Sequence, residues 1–342
     1  MTQTDNKLQQ LREIFNDHQT MLIVLQDNPD PDAIASAVAL RRLANTLANV
    51  QCSIAHGGTV ERAENRALVK YLNLNLRPLN PIDMAQFELF AMVDTQPGTG
   101  NNSLPEQIEP DIVIDHHICR QQTRHCRFTD IRSKYGATAT ILYEYLTGAG
   151  IQVEMPLATA LLYAIRSDTQ DLGRDSTKAD TETFIELYPL VNKRMLSQIQ
   201  RGKVSRDYYQ MLADSLSNAV VYSNAIVTNL GLIETPNMIA EVADMLLRDD
   251  ATNWVMVFGY FRQKMLISLR TYDPDTRADK VIHHIVARKG TGGGHPTYAG
   301  GQIPLPDDTQ KALKRLEKTV LNRFLKQIIK NPEDPKPLIR KQ

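Results

Sequence analysis

The sequence predicts an α/β chain of two domains, and three observations carry that expectation. Short apolar runs of four or five residues alternate with longer stretches at helical spacing through the first half. At 342 residues the chain exceeds what one hydrophobic core usually serves. Its second half opens after a polar break at Arg201-Gly202-Lys203 and again mixes strand-like with helical runs.

The elements follow in chain order. MLIVL, residues 21–25, reads as a strand feeding a helix over 33–47, and further strands are predicted at 52–55, 89–93 and 111–114. Helical stretches fall near 61–72, 137–147, 156–167 and 177–194. This alternation predicts a mostly parallel, doubly wound sheet, in which ligands gather beyond the carboxyl ends of the strands. Residues 195–217 read as a linker running into a helix. Beyond them AVVYSNAIVTNL, NWVMVFGYF and KMLISLR are strands around a helical ETPNMIAEVADMLLR, and a small second sheet is expected. TRADKVIHHIVARK and the run from 307 to 330 are amphipathic, with His283 and His284 as ordinary helix residues and the basic positions of the latter run on a solvated face. The end, NPEDPKPLIRKQ, reads as a mobile tail.

Composition excludes several classes. Hydrophobic residues make up 42% and charged residues 23%, as in an ordinary globular protein. The 39 basic residues balance 39 acidic ones, so no positive field favours a long duplex and any nucleic-acid substrate should be short. With no signal-peptide core at the start and no run of about eighteen apolar residues, a soluble, cytoplasmic chain without a membrane role is expected. Cys52, Cys119 and Cys126 are an odd set that suits reduced thiols. His116, Cys119, His125 and Cys126 match no common structural zinc spacing.

Three strand ends carry acids: Asp30 and Asp32 after MLIVL, Asp94 after LFAMV, and Asp115-His116-His117 after DIVI. Asp168 closes the helical run LATALLYAI. Each acid alone has a structural account, as a helix N-cap, a turn residue or a surface carboxylate. Converging carboxylates, however, repel one another unless cations neutralise them, so the set predicts a metal centre. Oxygen-rich ligands with one or two imidazoles suit manganese or magnesium, and two such ions activate a water and clamp a phosphoryl group for in-line phosphoester hydrolysis. In the second half the outstanding feature is Gly292-Gly293-Gly294-His295, a glycine-rich turn whose amides could approach an anion with His295 at hand.

On these residues the chain resembles the DHH phosphoesterases, in particular the DHH–DHHA1 subgroup of nano-RNases and phosphoadenosine-phosphate phosphatases, over nearly its whole length. The family's first motif, His-x-x-x-Asp-x-Asp, falls on residues 26–32, its second on Asp94, its third on Asp115-His116-His117 and its fourth on Asp168. The resemblance implies two Mn2+ ions, with Mg2+ or Co2+ as substitutes. Gln26, Asp30 and Asp94 would surround the first, and Asp32, Asp94, His116 and Asp168 the second. His117 and Asp115 would be catalytic, His117 facing the scissile phosphate. The motif GGGH-x-x-Ala-Ala-Gly falls on residues 292–300, so Gly292, Gly293, Gly294 and His295, together with Arg270, would bind substrate.

Two departures stand out. Gln26 occupies the histidine position of the first motif, and its amide oxygen is a poorer ligand, so the first metal should bind less tightly or favour magnesium. Tyr298 replaces the first alanine of the glycine motif and should narrow the nucleotide pocket. The implied layout is a catalytic DHH domain over 1–194, a linker helix over 195–217, a substrate-binding DHHA1 domain over 218–330 with a cleft between the domains, and a tail over 331–342. The implied activity is attack by a metal-bridging hydroxide on very short oligoribonucleotides, such as pGpG or pApA, to give 5'-mononucleotides. Dephosphorylation of 3'-phosphoadenosine 5'-phosphate to AMP and a homodimeric assembly are further expectations. Two alternatives stay open: an exopolyphosphatase- or pyrophosphatase-like hydrolase, and a non-catalytic nucleotide sensor that Gln26 keeps in view.

Overall fold

Strands buried on both faces need nearly continuous apolar runs, and the first half of the chain supplies them. The computed structural model describes residues 3–273, 275–306, 309–330 and 333–339. The chain divides into two units, residues 1–203 and 204–342.

In the first unit the strands are β1 (Thr20–Val24), β2 (Gln51–His56), β3 (Leu76–Pro78), β4 (Leu89–Val93), β5 (Ile112–Asp115) and β6 (Phe128–Ile131). They form one parallel sheet in the order β3-β2-β1-β4-β5-β6. The order reverses between β1 and β4, which creates a switch point at the carboxyl ends of these two strands. The helices are α1 (Gln3–Asn16), α2 (Pro31–Ala48), α3 (Ala63–Tyr71), α4 (Thr138–Gly148), α5 (Met155–Asp168), α6 (Lys178–Leu187) and α7 (Lys193–Gln200). They pack a large core on one face of the sheet, in which Phe15, Ile23, Ile34, Leu40, Tyr145 and Leu161 are all fully buried. The other face is closed by a smaller cluster around Leu22, Val24, Met92 and Val113. Helix α1 was not anticipated from its polar composition. Its apolar residues Leu8, Leu11, Ile14 and Phe15 nonetheless share one face and are buried.

The second unit comprises α8 (Arg206–Ser217), β7 (Val220–Tyr222), β8 (Ala225–Leu232), α9 (Met238–Leu246), β9 (Trp254–Phe261), β10 (Lys264–Thr271), α10 (Ala278–Val286), β11 (Thr291–Gly294), β12 (Tyr298–Pro304), α11 (Gln310–Ile328) and β13 (Lys336–Pro337). Its sheet is larger than expected, with seven strands in the order β11-β12-β10-β9-β8-β7-β13. Only the β8–β9 pair among these is parallel. One face buries Trp254, Met256, Ile282 and Phe324, and the other Ile226, Val242, Leu246 and Val257.

Three segments differ from expectation. Residues 195–217 are two helices, the end of α7 in the first unit and α8 in the second, separated by a break at 201–205. The glycine run is not a turn but the edge strand β11, paired with β12 from Gly292↔Gly301 to Gly294↔Ala299. The segment read as a mobile tail adds β13 to β7, and Leu338 N donates to Ala219 O at 2.9 Å. Residues 331, 332 and 340–342 of that segment lie outside the described residues. Among the described residues no helix is long and apolar enough to cross a membrane.

Candidate metal centre

The loop after β1 turns into α2 through Asp30, whose Oδ1 accepts from Ala33 N at 3.0 Å as an N-cap. Asp32, in the first turn of α2, is fully buried. Its carboxylate accepts from Thr138 N at 2.7 Å and Ala139 N at 2.8 Å, the opening amides of α4, and from Ser36 Oγ at 3.2 Å. A helix N-terminus suits an anion, so α4 fixes this carboxylate at the switch point. Asp94 follows β4 in a left-handed conformation (φ 58°), and its Oδ1 accepts from Thr138 Oγ1 at 3.1 Å. Asp115, His116 and His117 arrive at the end of β5, and Asp168 at the end of α5.

Asp32, Asp94 and Asp168 converge on the His116 ring. His116 Nε2 lies 3.3 Å from Asp168 Oδ2, 3.5 Å from Asp94 Oδ1 and 4.0 Å from Asp32 Oδ2. Its Nδ1 meets Tyr135 O at 3.1 Å, which orients the ring as the outer hydrogen bond of a metal-bound imidazole does. Both His116 Nε2 and Asp94 Oδ2 are buried, yet neither makes a hydrogen bond, His116 Nε2 having only these ion-pair contacts. Among the described residues two groups could hold a metal ion: Asp32, His116 and Asp168, and Asp94, Asp115, His116 and His117. Electrostatics agree. Burial and then Asp168 push Asp32 up to about 7, and burial and the surrounding aspartates push Asp30 and Asp94 up as well. Burial alone would lower His116, but its contacts with Asp168 and Asp32 carry it up to about 10. Carboxylates forced towards the neutral form beside ligand atoms that make no hydrogen bond fit a divalent cation, which would stabilise the same residues in their ionised forms.

His117 is set differently. Its Nδ1 contacts Asp115 Oδ1 at 2.8 Å, and its side chain is 46% exposed. Burial works against a proton on this ring, but Asp115 raises it overall. Asp115, read as catalytic, is fully buried behind the ring. Burial would raise this carboxyl, but His117 and Gln96 hold it below the usual range. Gln96 escaped the sequence reading. Its amide donates to Asp115 Oδ2 at 2.7 Å and Ile118 O at 3.2 Å, and its Oε1 accepts from Arg120 N and Thr123 Oγ1, each at 2.8 Å. The available signal was its place two residues past the strand-end Asp94. Thr138, which serves both Asp32 and Asp94, carried no signal at all.

Other expected residues fall less simply. Gln26, expected beside the first metal, turns its amide nitrogen to Asp30 Oδ2 at 2.9 Å. No cysteine enters either metal-competent group among the described residues. In the second unit Arg270 and Tyr298 are register partners, with the guanidinium 5.7 Å from the Tyr298 ring, which stacks on His295 at 4.6 Å. The guanidinium is also held by Asp244, Ser268 Oγ and Leu269 O. Gly294 needs its glycine, since its φ is 155° and a Cβ would strike Tyr298 O. A Cβ on Gly292 would lie 2.9 Å from Ile282, whereas one on Gly293 would meet nothing within 4 Å.

Comparison with known proteins places the chain. Residues 20–165 match the DHH family, N-terminal domain, and residues 220–322 the DHHA1 domain. An uncharacterized protein of Methanocaldococcus jannaschii is 32% identical over 322 residues, covering 92% of this chain. The chain spans 65% of that relative's length. Among solved structures, an exopolyphosphatase-related protein from Bacteroides fragilis aligns with a TM-score of 0.76 at 15% identity, over 96% of this chain and 99% of that one. RecJ in complex with Mn2+ from Thermus thermophilus aligns with a TM-score of 0.56 at 15% identity, over 93% of this chain and 55% of that one. At these identities the two structures establish a common fold.

Proposed function

The chain belongs to the DHH phosphoesterase family, with a DHHA1 domain after its DHH domain, and on that premise we propose that it is a Mn2+-dependent enzyme cleaving very short oligoribonucleotides. Dinucleotides such as pGpG or pApA are the proposed substrates, with 3'-phosphoadenosine 5'-phosphate as a second. The observation that carries the reading is the pair of buried atoms that make no hydrogen bond, Asp94 Oδ2 and His116 Nε2, among carboxylates and beside a half-exposed His117.

Asp32, Asp94, His116 and Asp168 are the proposed metal ligands. A cation bound there supplies Lewis-acid activation of a water and neutralises charge on the phosphoryl group. The α4 amides keep Asp32 in place, and Tyr135 O keeps the His116 ring in place, so neither has to reorganise during the reaction. Asp115 holds His117 Nδ1 and favours its protonated form, leaving Nε2 to give a proton to the leaving oxygen as the phosphorus–oxygen bond breaks. Gln96 positions Asp115. In the second unit the Arg270–Tyr298–His295 row offers a surface on which a base could stack, a feature that polyphosphate would not need. A cytoplasmic location goes with this reading, all three cysteines being free thiols.

Release of 5'-mononucleotide from a labelled dinucleotide with Mn2+, compared between the wild-type chain and Asp94→Ala, tests the assignment. The substitution should lower the rate on the order of 10³-fold. Equal rates would sink it. Turnover of polyphosphate with none of the dinucleotide would transfer the chain to the exopolyphosphatase reading, and binding without turnover to the sensor reading.

A further inference from the structure

We propose that Asp180 is a positioning residue of the metal centre, fixing the short segment that orients three of its ligands. The inference rests on the reading of the strand-end cluster as a metal centre. It concerns a carboxylate whose hydrogen bonds go to none of those ligands.

The segment is residues 135–139. It brings Tyr135 O to His116 Nδ1 at 3.1 Å, the Thr138 and Ala139 amides to Asp32, and Thr138 Oγ1 to Asp94. These three ligands are held only as firmly as the segment is. Asp180, in the first turn of α6, is fully buried and closes a capping box with Thr177, accepting from Thr177 N at 2.7 Å and Thr177 Oγ1 at 2.6 Å. Burying an aspartate merely to cap a helix would be costly. This carboxylate reaches further: Oδ2 also accepts from Gly136 N at 2.9 Å, and Oδ1 from Thr140 Oγ1 at 2.6 Å. The start of α4 is therefore gripped by two buried carboxylates, Asp32 on the amides of residues 138 and 139 and Asp180 on the residues that flank them. All four groups that donate to Asp180 are neutral, and the N-termini of α4 and α6 suit its charge. The fit extends to the Asp168 side. A Cβ on Gly136 would lie 2.4 Å from Thr169 Cγ2, next in the chain to Asp168, and 3.1 Å from Asp180 Oδ2. One carboxylate thus ties the segment serving His116, Asp32 and Asp94 beside the end of the helix that delivers Asp168.

Mn2+ uptake by the full chain in equilibrium dialysis, paired with amide hydrogen exchange of residues 135–139 in EDTA, reads positioning without any assay of activity. Asp180→Ala should lower the Mn2+ affinity by about 10- to 100-fold, and residues 135–139 should exchange faster than in the wild type. Asp180→Asn should restore the affinity to within about threefold, because its oxygen accepts where Oδ2 does and its NH2 donates to the Thr140 hydroxyl, which can accept as well as donate. Thr140→Val, which leaves the α6 cap intact, should lower the affinity by about 3- to 10-fold. An acid that only caps α6 would affect thermal stability and leave Mn2+ uptake by the folded chain unchanged. An affinity within about threefold of the wild type in folded Asp180→Ala, or in Thr140→Val should the first variant fail to fold, would therefore overturn the proposal. Equal losses in Asp180→Asn and Asp180→Ala would overturn it too, by assigning the effect to charge. No bound Mn2+ in the wild type would instead remove the metal-centre reading, and the proposal with it.

Discussion

The carboxylate edge of the first sheet and the glycine edge of the second are built on opposite principles. At the first, aspartates are crowded around the Asp115-His116-His117 triplet, an arrangement that raises the pKa values of Asp30, Asp32 and Asp94 and leaves two buried atoms, Asp94 Oδ2 and His116 Nε2, without a hydrogen bond. At the second, side chains are missing: Gly292 and Gly301 make room for Ile282 of α10, and Gly294 permits a backbone conformation closed to other residues. Both edges look unusual in sequence, yet only the first is costly to the fold without a partner. A cluster that strains the protein asks for a ligand, whereas one that relieves strain is explained by packing.

His117→Ala tests the contrast most strongly. If the carboxylate edge is chemical and not merely a seat for a cation, the variant should lose about 10²- to 10⁴-fold in kcat on a dinucleotide, with Mn2+ uptake retained. A loss under about threefold would confine function to the metal ligands.

The second test is stability against pH in EDTA. Asp32 is pushed from an ordinary 3.8 up to about 7 in the folded chain, and Asp30 and Asp94 are raised too. A carboxyl raised by folding binds its proton more tightly in the native state. Its contribution is therefore full below the unfolded value and is lost as pH rises through the folded one. The raised His116 and His117 act in the same sense, while His56, lowered by burial, opposes them. Thermal unfolding should come several degrees lower at pH 8 than at pH 5.5, with the gap narrowed by Asp32→Asn or by added Mn2+. A midpoint that rises over this interval would contradict the charge crowding.

The glycine edge gives the smallest effects. Urea unfolding of Gly294→Ala should show a loss of about 1–3 kcal/mol, since the position combines a φ of 155° with a clash against Tyr298 O. Gly293→Ala, with open space around it, should stay within about 0.5 kcal/mol. If Gly293→Ala still weakens nucleotide binding, part of the glycine edge is functional after all.

How much was legible in the sequence follows the range of each interaction. The strand-end acids were readable because a short apolar run announces both the strand and its carboxyl end, and a parallel sheet gathers those ends on one side. Helix α1 and the glycine strand were not. One hides an apolar stripe in a polar segment, and the other has almost no β propensity and is a strand only because β12 pairs with it.

The sequence by itself determined the α/β class, the two-domain organisation and the chemistry available at the candidate centre, because these depend on local periodicity and residue type. The tertiary structure decided what each residue does with that chemistry. It buried Asp115 behind His117, gave the Gln96 side chain its four hydrogen bonds, set the amides of α4 on Asp32 and turned Gln26 into a donor to Asp30. Asp32 and Thr138 are more than a hundred positions apart in the chain, and no local pattern in either segment encodes the distance at which they meet. Only the packing of α2 against α4 sets it.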